Sequence, residues 1–100
     1  MAAERKPGER TSERRLAKAV RRFVDLVRPI DDVRHVVKID EGQTGIFTYI
    51  IRLDESVSRQ VYEAEFQIMK EFEDVPLEFH VRYLDGRPFS PPESGLVFSR

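Results

Sequence analysis

One hundred residues, 40% apolar and 35% charged, suffice for one globular domain with a single core. There is no cysteine, which excludes disulfides and thiolate metal sites, and no apolar run approaches the roughly 18 residues of a membrane span. The net charge of −1 hides an asymmetry, because residues 1–22 carry eight Lys/Arg against three Glu, and residues 23–100 carry nine against fifteen acids.

A basic arm therefore precedes an acidic body. Such an arm can touch nucleic acid or an anionic surface, fold back on its own body, or simply solvate a chain end. The N-terminus lacks the apolar core of a signal peptide, and a cytoplasmic protein is the expectation.

Residues 1–11 include Pro7 and Gly8 and no large apolar residue after Met1, so they read as a flexible basic tail. Thr11 or Ser12 can cap a first helix by accepting from an orphan N–H of its first turn. Leu16, Ala19, Val20, Phe23, Val27 and Ile30 then recur at helical spacing until Pro29 and Asp31-Asp32 end the run. Arg14, Arg15, Lys18, Arg21 and Arg22 lie on the polar side.

Two β-branched runs follow, residues 33–40 and 46–53, joined by a glycine-containing loop, and they read as a β-hairpin. Gly42-Gln43-Thr44-Gly45 matches in form the GxxG loop of KH domains. That loop clamps a nucleic-acid backbone between two helices, whereas here it joins strands and reads as a turn.

The strongest signal is the stretch from Leu53 to Glu73. As a helix from about Ser56, capped by Asp54 or Ser56, it carries Val57, Val61, Ala64, Ile68 and Phe72 on one stripe. Tyr62, Phe66 and Met69 form a second stripe, roughly 120° round at about 100° per residue. Glu63, Glu65, Glu71 and Glu73 read as solvating or i,i+4 partners. Pro76 closes the helix, and residues 77–84 alternate as a third strand. After the Asp85-Gly86 turn, residues 86–100 form a proline-rich tail in which Leu96-Val97-Phe98 can make a short edge strand.

These elements define an α+β fold: a two-layer αββαβ sandwich over residues 12–85, both helices on one face of a three-stranded mixed sheet. A right-handed crossover makes the third strand parallel to the second. The order is similar to the cytoplasmic C-terminal domain of cation diffusion facilitators, a dimerising, metal-sensing module, and to a ferredoxin-type fold lacking its first strand. The likeness covers residues 33–84 in pattern only. The histidine-rich metal positions of that family have no counterpart here, and membership does not follow.

Strict alternation puts Val33, Val37, Ile39, Phe47, Tyr49, Ile51, Leu53 and alternate residues of the third strand on the helix-covered face, with His35 in phase. The open face then holds Arg34, Val36, Lys38, Ile46, Thr48, Ile50, Arg52, Glu78, His80 and Arg82. That face is basic but lacks the aromatic rings on which RNA-binding sheets stack bases. The sheet would also separate His35 from His80, so they cannot share a metal or a proton.

No nucleophile elbow, phosphate-binding loop or dinucleotide fingerprint is present. No catalytic residue, metal site or cofactor is assigned, and an enzyme is unsupported. The leading reading is association, as a homodimer or as an adaptor for another protein, through Tyr62, Phe66 and Met69. The ordinary use of that stripe is lateral packing against Leu16, Val20, Phe23 or Val24. The alternative function is nucleic-acid binding through Arg14, Arg15, Lys18, Arg21 and Arg22 with Arg34, Lys38, Arg52 and Arg82. Metal sensing ranks third.

Overall fold

The computed structural model describes residues 7–90, 92 and 94–100, with side chains from residue 13 onward. Its elements are α1 (Pro7–Val27), β1 (Val33–Glu41), β2 (Gln43–Ile50), α2 (Glu55–Glu71), β3 (Leu77–Tyr83) and β4 (Leu96–Ser99). The α+β reading holds, and the C-terminal triplet does form a fourth strand.

α1 begins at Pro7, earlier than a cap at Thr11 or Ser12 would place it. Proline is well suited to a first helical position, where its missing N–H would have no partner anyway. Residues 1–6 of the expected tail lie outside the described residues. Asp54 caps α2, its carboxylate accepting from the Val57 N–H at 3.0 Å.

The sheet order is β3-β2-β1-β4. β1 is antiparallel to β2 and to β4, and β2 is parallel to β3 as the crossover through α2 requires. The third strand thus sits beside the second strand of the hairpin. In the hairpin turn only Gly42 needs a positive φ (80°); Gly45 lies within β2, so the GxxG match is accidental.

One core joins both helices to one sheet face. Ala19, Val20, Phe23, Val24 and Val27 of α1 meet Val61, Ala64, Ile68 and Phe72 from the α2 region. Under them lie Val33, Val36, Ile46 and Ile50, and the Phe23 and Phe79 rings sit 5.2 Å apart.

The face assignment from strict alternation is inverted for β1 and β2. Val36, Ile46, Thr48 and Ile50 face the helices, while His35, Val37, Phe47 and Tyr49 face the other way. Val33 nevertheless shares the helix side, because a bulge at Arg34 inserts one residue between the Val33–Ile50 and His35–Tyr49 pairs. Both phases of β2 are largely apolar, and in β1 the polar Lys38 and Asp40 share the phase of the buried Val36, so alternation marked the wrong side as the outside.

The reason lies in the chain after β3. It crosses the open face to reach β4 at the opposite edge, and Phe89 stacks on His35 at 4.1 Å and tilts against Tyr49 at 4.6 Å. Val37 is thereby buried although it faces away from the helices. The sheet is covered on both sides along this path.

β4 is held by its ends. Gly95 adopts φ 112°, and a Cβ there would meet the Lys38 carbonyl oxygen at 2.5 Å. At the far end the Arg100 guanidinium donates to the carbonyls of Val33, Arg28 and Ile30, bridging β1 and the chain after α1. Gly95→Ala is expected to cost roughly 1–3 kcal/mol through backbone strain and displacement of β4. Chemical denaturation measures the cost, and faster amide exchange at Val36 and Lys38 would locate it.

Candidate functional site

Tyr62, Phe66 and Met69 are 50%, 60% and 48% exposed. Packing against α1 does not cover them, because α1 meets α2 on another flank. There Arg15 donates to Asp74 at 2.7 Å and lies 4.7 Å over the Phe72 ring, and Arg22 pairs with Glu71 at 3.2 Å. Asp74 and Glu71 are held below the usual carboxylate range, chiefly by these side-chain hydrogen bonds. The basic arm thus folds back on the acidic body at two of its five positions. Arg14, Lys18 and Arg21 remain on the exposed side of α1.

The second stripe of α2 follows the edge strand from end to end. The Tyr62 hydroxyl interacts with Tyr83 at the end of β3. Met69 lines the same groove as Leu77 and Phe79 at its start. Leu77, Phe79, Val81 and Tyr83 on the helix side of β3 are only half-buried. Lys70 Nζ sits 5.4 Å over the Phe66 ring, leaving its apolar body beside the stripe. The result is a continuous apolar band at one edge of the molecule.

Between the two stripes lies Glu65, expected as a solvating carboxylate and found 7% exposed. Among the described residues its Oε2 has no hydrogen-bond partner, and burial pushes its pKa up to about 7. Glu65 falls at a helical phase between Val61 and Met69, so no orientation of α2 can bury the first stripe and expose Glu65 fully. The Tyr62 hydroxyl is raised above its ordinary value, first by desolvation, then by Tyr83, with the Glu65 charge contributing least.

The expected basic sheet face does not exist as one surface. Arg82 is on the open face, 5.2 Å from the Phe47 ring, while Lys38 is on the helix side in an ion pair with Asp40 at 3.5 Å. Arg34 is the bulge residue and Arg52 lies beyond the end of β2.

The missing aromatic platform is present after all, since Phe47, Tyr49 and both histidines share the open face. Its rings, however, stack on one another. Phe47 lies 4.5 Å from His80 at 14° and carries Arg82, and His35 lies under Phe89. Base stacking needs ring faces turned to solvent, and these are in use.

The two histidines therefore share a face, contrary to the separation inferred from alternation. His35 Nδ1 lies 2.9 Å from Ser99 Oγ, and burial, then the Arg34 charge, lower its pKa. His80 Nε2 lies 3.5 Å from Glu78. Among the described residues no cluster of three or more His, Asp or Glu is arranged to hold a metal ion. A groove of about 360 Å³ beside α1 is floored by Val20, Val24 and Val97 and rimmed by Arg21, Arg28 and Lys38. Arg28 faces Asp25 at 3.9 Å and Lys38 faces Asp40, so two of its three cations have acidic neighbours. No described helix is long and apolar enough to cross a membrane.

The fold and the edge band define a two-layer α+β protein with an uncovered apolar edge. Compared with models of known families, with curated proteins and with solved structures, the chain matches none of them.

Proposed function

We propose that this chain works by protein association through the outer stripe of α2, as a homodimer in the leading form and as an adaptor for another protein in the other. The observation that carries the reading is the exposure of Tyr62, Phe66 and Met69 together on one helix flank. Scattered exposed apolar residues need no explanation, but two aromatics and a methionine in one stripe are the residue types that anchor interfaces. Their exposed parts amount to roughly 300 Å², taking about 200 Å² for a large side chain.

Nucleic-acid binding has less to rest on. Arg15 and Arg22 are engaged with Asp74 and Glu71, the sheet cations are dispersed, and the open-face rings stack internally.

The test is molar mass in solution against concentration. The wild type is expected to reach the mass of two chains, and Phe66→Asp to remain at the mass of one with unchanged secondary structure. A wild type that stays at one chain's mass at about 1 mM, above the dissociation constant of most specific protein pairs, overturns the homodimer.

A further inference from the structure

We propose that the partner is a second copy of this chain, docked edge to edge so that β3 pairs antiparallel with its own copy about a twofold axis at His80. The proposal rests on the association reading above and adds the surface, the partner and the register.

β3 is the edge that needs a partner. It is seven residues long, without proline or bulge, and among the described residues no strand pairs with its outer side. β4, the opposite edge, is short and carries a bulge at Val97. Monomeric proteins blunt their sheet edges by such devices, and a long regular edge is a template for pairing. The carbonyls of Val81 and Tyr83 take side-chain donors, Arg82 and Arg87, rather than a strand. In a strand paired on one side, alternate residues turn their backbone groups outward, and these two carbonyls identify the odd-numbered set.

The sequence of β3 is complementary to itself in one register. With His80 on the axis, Phe79 faces Val81 of the second copy, and both belong to the outward-turned set, so they can exchange backbone hydrogen bonds. On the open face Glu78 then faces Arg82, twice by symmetry, an opposite-charge pair directly across the strands. On the helix face the half-buried Phe79 and Val81 meet their counterparts. The α2 stripes follow β3 at both its ends, and so flank the same axis. Isologous contact of this kind closes at two copies, giving one continuous sheet of eight strands from two of four.

Charge reversal tests the register in the full chain. Glu78→Arg and Arg82→Glu each put like charges opposite one another, and each is expected to weaken the homodimer at least about tenfold. An equimolar mixture of the two variants restores complementary pairs and is expected to form a heterodimer within about threefold of wild-type affinity; so is the homodimer of the double variant. Because the chain has no cysteine, His80→Cys supplies a second readout. Facing cysteines on the axis lie within disulfide reach, and are expected to cross-link far faster than Glu55→Cys.

If Phe66→Asp dissociates the dimer while both reversals leave it intact, the copies meet through α2 in another geometry and the β3 register is wrong. The association reading would stand in that case. Reversals that weaken the dimer without recovery in the mixture also overturn the register. A chain that remains monomeric overturns the register and the homodimer together.

Discussion

Glu65→Leu is expected to stabilise the protein by about 3 kcal/mol at pH 8 and by far less at pH 4. The side chain is 7% exposed, its Oε2 lacks a partner, and burial raises its pKa from 4.5 to about 7. Below pH 4.5 the carboxyl is protonated in the folded and the unfolded chain, and it imposes no pH dependence. Between pH 4.5 and 7 the unfolded chain releases the proton and the folded chain keeps it, so stability falls as pH rises. Above pH 7 both are ionised and the full penalty is present.

Denaturant titrations of both proteins at pH 4, 6 and 8 check this. The difference between them should grow across that interval and then flatten. Glu65→Gln should remove the same pH dependence with a smaller gain, because a buried amide still lacks partners. A difference independent of pH would show that the carboxyl ionises without cost. This readout is independent of dimer formation when it is made on Phe66→Asp backgrounds.

Phe23→Ala carries the other large effect. Phe23 is fully buried in the C-terminal part of α1, with its ring against Phe79 of the edge strand. Truncating such a ring costs about 3–5 kcal/mol, through lost transfer energy and the cavity left behind. For a domain of this length that is a fall of roughly 15 °C or more in melting temperature. Thermal denaturation followed by circular dichroism checks it, and a fall under about 5 °C would mean the helix layer repacks around the gap. The loss should also loosen β3 from below, since the Phe23–Phe79 ring contact ties that strand to α1.

The two helices were legible because both carry an apolar stripe with a distinct polar side. The spacing from Val57 to Phe72 admits one helical phase, and the structure buries Val61, Ala64, Ile68 and Phe72 accordingly. β3 was legible for the same reason, since Leu77, Phe79, Val81 and Tyr83 alternate with Glu78, His80 and Arg82. β1 and β2 were not. In IFTYI both phases are apolar, and strict alternation chose the bulkier set for the core. The inversion of those two strands carried His35 and Phe47 to the wrong face, and with them the judgement that the open face lacked rings.

The candidate stripe shows the same division. Its composition and spacing were visible in Tyr62, Phe66 and Met69, but its exposure was not, because a neighbouring helix could have covered it. The position of α1 settled that point: Arg15 and Arg22 clasp Asp74 and Glu71 near the end of α2 and leave the other flank bare.

What the amino-acid order determined by itself is local: helix phases, a cap at Asp54 or Ser56, the turn at Gly42, and the alternation of β3. Periodicity and capping act over one or two turns, so they are written in neighbouring residues. What only the tertiary structure decided is which sheet face the helices cover and which edge stays open. Those outcomes depend on the bulge at Arg34 and on Phe89 crossing the sheet to lie on His35 and Tyr49. Contacts between residues about fifty positions apart carry no signature in local spacing. The fate of the Tyr62, Phe66 and Met69 stripe therefore rested on packing, and packing left it exposed.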